Sequence, residues 1–207
     1  MYRASYFQEK DNAGVIAFVK ENPFAIVTGI GEQYPVATHL PLEIEIQEDG
    51  FITLSGHMMK KSDHYNALLQ NENVLVLFNG PHTYISASWY TNPQGASTWN
   101  YMTVHAKGKI KFTDDEGTYD AIKKITNKYE GKESAAAFDK MDREYIDKML
   151  KAIVGFTIEV KSFENVFKLS QNRDKETQLS IAKQLMLRGD EQSVAIAKEM
   201  NKRMAND

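Results

Sequence analysis

The sequence predicts a mainly β protein of the α+β class, a closed antiparallel barrel with peripheral helices and a C-terminal helical hairpin. Three observations predict it. Six or seven segments carry strand-type patterns and most are joined by turns, which argues against a doubly wound parallel sheet. Residues 102–112 alternate without a fault: Met102, Val104, Ala106, Gly108, Ile110 and Phe112 against Thr103, His105, Lys107, Lys109 and Lys111. That is the mark of a strand with one face in the core and one in water. From about Asp174 the pattern is helical on both sides of Gly189, with Asp190 as the second N-cap. We therefore expect one barrel domain over 1–172 and a helical extension over 173–207 that packs on the barrel or on a second copy.

The elements follow in order. Asp11-Asn12 opens a short helix whose apolar residues Val15, Ile16, Phe18 and Val19 recur at helical spacing, and Asn22-Pro23 stops it. Phe24 to Ile30 reads as a buried strand, with Gly31-Glu32-Gln33 as its turn. Pro35 to Ile46 alternates as one strand, with Val36, Leu40, Leu42, Ile44 and Ile46 on one face and His39, Glu43 and Glu45 on the other. Glu48-Asp49-Gly50 is a hairpin turn into a strand over Phe51 to His57. Lys60 to Gln70 is a helix with Tyr65, Leu68 and Leu69 on its buried side. Asn73 to Asn79 is a strand, and Gly80-Pro81 turns the chain into another over Thr83 to Tyr90. Asp114 to Tyr129 and Asp142 to Ile153 are helices with acidic starts, and Val154 to Leu169 is the last strand.

At 207 residues the chain can bury a full core without disulfides, and it has no cysteine. That removes disulfides, thiolate zinc sites, iron-sulfur clusters and cysteine nucleophiles, and it fits a reducing compartment. No apolar run reaches signal-peptide or membrane-spanning length, so a cytoplasmic protein is expected. A net charge of -3 leaves no overall electrostatic footprint for nucleic acid, and any DNA contact would need a local basic patch. Lys107, Lys109 and Lys111 form a basic stripe, which reads as a solvated strand face.

Both tryptophans, Trp89 and Trp99, lie within Ser86 to Tyr101, together with Tyr90 and close to Tyr84. Planar apolar surface beside hydroxyls and amides suits a flat heteroaromatic ligand; it also suits a packing cluster under a loop or a dimer interface. A ligand site at an interface is favoured, because loops that carry large aromatics tend to be functional.

Asn22-Pro-Phe-Ala25, Thr38-His-Leu-Pro-Leu42, Gly56-His57, Ser86 to Tyr90, Thr98-Trp-Asn-Tyr101, Val104-His105, Lys148-Met-Leu-Lys-Ala-Ile-Val-Gly155 and Lys168-Leu-Ser-Gln-Asn-Arg173 occur in that order. Together they resemble the PaiB family of FMN-binding negative transcriptional regulators over nearly the whole chain. The resemblance implies an FMN-binding split β-barrel, assembled as a homodimer with flavin at the subunit interface. One departure stands out: the stretch between Ser-Trp-Tyr and Thr-Trp-Asn-Tyr is short for the family, and Ser97 replaces its usual proline.

The phosphate of FMN needs cations and donors. Lys60 and Lys61 fall at a predicted helix start, where a bound anion would offset their unfavourable place in the helix dipole. The resemblance puts the basic residue at Lys60, with Ser62 as a nearby donor. His39, His57 and His105 fall on wet strand faces; a lone histidine is most simply a structural hydrogen-bonding group, but Thr38-His39 matches the family motif, and His57 is next in order. Trp99 and Asn100 offer stacking surface and hydrogen bonds in adjacent positions. By resemblance Lys168, Gln171 and Asn172 also belong at the flavin, although Ser170 and Asn172 could simply end the strand and start the helix.

Other chemistries are poorly served. There is no phosphate-loop pattern, dinucleotide fingerprint, nucleophile elbow or trustworthy metal-ligand spacing. A helix-turn-helix around Gly189 would carry Lys198, Lys202 and Arg203 beside Asp190, Glu191 and Glu199, too mixed for a recognition helix. The expected function is a flavin-dependent transcriptional regulator or sensor. The alternative is a small NAD(P)H-linked FMN oxidoreductase, and a haem-binding relative on the same barrel comes third. The partners expected are FMN, a second copy, and DNA or protein in regulation, with no membrane.

Overall fold

The computed structural model describes residues 4–48, 50–131 and 133–205. Asp49, in the expected turn before the fourth strand, lies outside them. The sheet has seven strands: β1 (Phe24–Gly29), β2 (Val36–Pro41), β3 (Glu43–Ile46), β4 (Ile52–Met59), β5 (Asn73–Ile85), β6 (Thr98–Phe112) and β7 (Ile153–Lys168). Six α-helices accompany it among the described residues: α1 (Asn12–Glu21), α2 (Asp63–Gln70), α3 (Asp115–Glu130), α4 (Arg143–Ala152), α5 (Lys175–Arg188) and α6 (Glu191–Met204). Caps follow the sequence closely. Asp114, Asp142, Asp174 and Asp190 each accept a backbone N–H from the first turn of the helix they precede. Gly189 closes α5 in the left-handed conformation, with φ of 79°.

The strands hydrogen-bond in the order β2-β1-β5-β6-β7-β4-β3. β2 and β3 are therefore the two edges of the sheet, yet Leu42 alone separates them along the chain. A sheet whose two edge strands are joined by one residue has to curl, which gives the antiparallel half-barrel seen here. The single strand expected over 35–46 is thus two strands. Its alternation is real, but the Leu42 N–H leaves the ladder and donates to the Pro23 carbonyl at 2.9 Å. β2 then pairs with β1, Thr38 opposite Val27, and β3 pairs with β4, Ile44 opposite Leu54.

Two further expectations need correction. The strands expected over 73–79 and 83–90 form one strand as far as Ile85, and Gly80-Pro81 is not a turn. Gly80 is needed for close approach: a Cβ there would stand 2.5 Å from Cε2 of Phe18. The helix expected from Lys60 begins at Asp63, and its buried residues are His64 and Leu68, while Leu69 is exposed.

The chain forms two compact units. The first comprises Val19–Phe78 and His105–Phe163; the second comprises Met1–Phe18, Asn79–Val104 and Glu164–Asp207. In the first, Ala25, Val27, Leu54, Val76, Phe78, Ala106 and Ile158 are fully buried, and Ile122, Phe138 and Ile146 make a satellite core under α3 and α4. In the second, Phe167, Leu169, Ile181, Leu185, Ile196 and Met200 are buried, and each large apolar side chain contributes about 1.5–3 kcal/mol. No helix among the described residues is long and apolar enough to cross a membrane.

Candidate functional site

In the first unit, β2 carries Thr38 and His39 to opposite faces, as successive strand residues must be. Thr38 is half-buried, and its Oγ1 lies 2.6 Å from Nδ1 of His64 on α2. His39 is exposed, with its ring 6.3 Å from that of Phe24. His57, opposite Gly155 in β7, projects away from the buried Leu54 and Met58; burial pushes its imidazole below the usual range, which favours the neutral ring.

Lys60, Lys61 and Ser62 form the bend between β4 and α2. Ser62 is the N-cap: its Oγ accepts the Tyr65 N–H at 3.0 Å and its hydroxyl donates to the Met59 carbonyl at 3.1 Å. Lys60 serves the far end of α4. Its backbone N–H donates to Ala152, its ammonium donates to the Leu150 carbonyl at 2.9 Å, and Asp115 lies 3.5 Å away. Lys61 is exposed. Thr38, His57 and the two lysines thus place a hydroxyl, an imidazole and two ammonium groups on β2, β4 and one bend, a donor set whose chemistry fits a phosphate-bearing ligand. Asp115 is the anion that competes for Lys60.

The second unit holds Trp99, Asn100, Lys168, Gln171 and Asn172. Trp99 and Asn100 point to opposite faces of β6. Trp99 is half-exposed, edge-on to Tyr84 at 6.1 Å and 6.2 Å from His82. Asn100 is fully enclosed: its carbonyl accepts the Ser170 hydroxyl at 3.1 Å, and its amide donates to the Met200 sulfur at 3.7 Å. Lys168 donates to Thr98 Oγ1 at 2.5 Å and lies over the Phe7 ring; burial, and then Arg173, lower its pKa. Gln171 folds back on the strand end, accepting the Leu169 N–H and donating to the Phe167 carbonyl. Ser170 between them has φ of 66°, a left-handed conformation strained for any residue but glycine. Asn172 is exposed, and Asp174, not Asn172, caps α5.

The tryptophan loop is packed by its own side chains. Tyr90 is buried, donates to the Ala96 carbonyl at 3.1 Å and lies under the Arg173 guanidinium; Trp89 lies under Arg188. Ser97 accepts the Ala87 N–H through its Oγ at 3.0 Å, a contact that proline could not make. Two groups escaped the sequence reading: His64, and Asn100 as a buried bridge. Both had a signal. His64 stands four residues before Leu68 on one helix face, and Asn100 shares the phase of Met102, Val104 and Ala106. A cavity of about 560 Å³ in the first unit, lined by Thr28, Tyr34, Pro35, Leu75 and Lys107 among others, holds none of the expected site residues.

Residues 1–162 match the family described as "Putative FMN-binding domain". The chain is 34% identical over 186 residues to the Protease synthase and sporulation protein PAI 2 of Bacillus subtilis, covering 89% of each. It is 26% identical over 212 residues to an uncharacterized protein of Emericella nidulans, covering 83% of this chain and 84% of that one. Among solved structures, the FAD and heme binding protein from Mycobacterium smegmatis superposes with a TM-score of 0.61 at 14% identity, covering 84% of this chain and 79% of that one. The flavocytochrome Anf3 from Azotobacter vinelandii gives 0.61 at 13% identity, with 81% and 72% covered. At such identities the likeness establishes the fold, the split barrel expected from the sequence.

Proposed function

The chain belongs to this FMN-binding domain family, and on that premise we propose that it is a cytoplasmic, flavin-dependent sensor or transcriptional regulator of the PaiB type. It acts as a homodimer, and the state of its non-covalently held FMN biases an equilibrium that a DNA or protein partner reads. Bound FMN supplies a redox centre. In the first unit Lys60 and Lys61 are the cations for its phosphate, and Thr38, His39, His57 and Ser62 are further candidate contacts. Independently of that set, in the second unit Trp99 offers a flavin a stacking surface and Lys168, Gln171 and Asn172 offer donors, with Asn100 setting the turn from behind. The two sets are tested separately.

One observation supports sensing in particular. Asn100 links the Ser170 hydroxyl, in the turn that follows Lys168 and holds Gln171, to Met200 on α6. A ligand that orders that turn therefore orders a helix of the extension over 173–207, which serves as output while 1–172 form the flavin domain. Hydrogen exchange with and without FMN tests this, and the expected result is slower exchange in α6 once flavin is bound. Unchanged exchange at saturating FMN, together with sustained NADH or NADPH turnover, would replace the reading with a small oxidoreductase. A Soret band in the purified protein would replace it with haem binding.

A further inference from the structure

Behind Thr38 lies a histidine that no motif marks. His64 is 1% exposed, its Nδ1 is 2.6 Å from Thr38 Oγ1, and its Nε2 is buried with no hydrogen-bond partner among the described residues. The ring faces β1 at Gly29, where a Cβ would come within 3.4 Å of Nε2 and 2.8 Å of Leu68 Cδ2. A side chain at that position would press on Leu68 first, and its Cβ would lie in van der Waals contact with the imidazole.

The two ring nitrogens are coupled. Burial lowers the His64 pKa, against the opposing pull of Asp63, which favours the neutral ring with one hydrogen. Were Thr38 to donate to Nδ1, that hydrogen would sit on Nε2 as a buried N–H with no acceptor, the rarer kind of orphan. With the hydrogen on Nδ1, the ring donates to Thr38 and Nε2 keeps only a bare lone pair against apolar atoms. The second arrangement is the less costly.

We propose that His64 is a positioning residue for the cofactor: its Nδ1–H donates to Thr38 Oγ1, so that the threonine gives its own proton to an acceptor oxygen of the bound flavin nucleotide. The proposal rests on the FMN reading above and deepens it, because it turns an ambivalent hydroxyl into an obligate donor. The acceptor is a phosphate oxygen or a ring carbonyl, and the two are separated by comparing FMN with riboflavin.

Nitrogen-15 NMR of histidine-labelled wild-type protein reads the tautomer with no substitution that could disturb folding. The expected state is Nδ1 protonated and Nε2 bare; the reverse would overturn the proposal. FMN and riboflavin titrations of Thr38→Val, Thr38→Ser and His64→Phe, singly and combined, make the second arm. Thr38→Val should weaken FMN about tenfold and Thr38→Ser should not. His64→Phe should weaken it in the parent and add nothing to Thr38→Val. Loss with FMN alone assigns the phosphate, and loss with both ligands assigns the ring; either supports the donor role. A full further loss on combining the variants, or FMN affinity untouched by Thr38→Val, overturns the proposal and leaves FMN binding standing. A parent protein that binds no FMN overturns both.

Discussion

The two units differ in that only the second encloses polar motif residues completely. In the first, Thr38 and His57 stay half-buried and His39 and Lys61 stay exposed, so their polar groups face outward or are held ready. In the second, Asn100 and Ser170 are enclosed and spend their polar groups on each other and on Met200. Motifs of the same kind in one sequence thus mark two jobs, presentation and architecture. A short polar motif says that residues matter. The burial and partners of each donor say to what they are committed.

Asn100 offers the severest test of that contrast. Asn100→Ala strands the Ser170 hydroxyl, removes the amide from Met200 and leaves a cavity, at a cost of about 2–4 kcal/mol. For a chain of this size the melting temperature should fall on the order of 5–15 °C. A melting curve like the parent's, coupled with lost FMN binding, would move Asn100 to the presenting class.

Lys60 and Lys61 come next. The double change to alanine should raise the FMN dissociation constant at least about tenfold, since charge-assisted hydrogen bonds contribute roughly 1.5–3 kcal/mol. The single variants sharpen the comparison. Lys61→Ala should leave the melting temperature alone, whereas Lys60→Ala should lower it, by about 1 kcal/mol in stability, because the end of α4 loses its cation. Tryptophan quenching on titration with FMN reads the first quantity and calorimetry the second. If the double variant binds as tightly as the parent, the phosphate is held elsewhere.

Ser170 gives a smaller effect. Ser170→Ala loses the hydroxyl and keeps the left-handed strain, while Ser170→Gly loses the hydroxyl and relieves it. Glycine should therefore be the more stable of the two by about 1 kcal/mol in urea unfolding. Equal midpoints would mean that the turn is relaxed.

The gentlest test is pH. Burial holds His57 and His64 below the usual 6.5, so the unfolded chain binds protons that the folded chain refuses. This stability is whole above about pH 6.5 and is lost as the pH falls toward the lowered folded values. His57→Gln should flatten the dependence of the urea midpoint on pH in that window. A slope identical to the parent's would remove His57 from the set of half-buried groups.

Much of the fold was legible because capping and alternation are local. The acidic caps of α3 to α6, Gly189 and the phase of β6 all stand in the sequence where the structure puts them. What stayed hidden depends on partners far along the chain. The alternation from Val36 to Ile46 has no fault at Leu42, and only the Pro23 carbonyl breaks it. Gly80-Pro81 has the composition of a turn, and only Phe18 pressing on Gly80 explains a strand there. At the candidate site, the types of residue could be read but their commitments could not. The caps made by Ser62 and Lys60, and the hold of His64 on Thr38, are contacts between separate elements.

On the ribosome, this barrel cannot close in the order in which it is synthesised. The β1–β2 and β3–β4 hairpins emerge early, already tethered through Leu42. β4, however, must wait for β7, whose Glu159 pairs with Thr53 roughly a hundred residues downstream, about 5–20 s of translation. Throughout that interval the nascent chain offers neighbouring polypeptides an open β-edge. Leu42 ties the two hairpins together from the start, and the hazard of misassembly falls in the time before the last strand arrives.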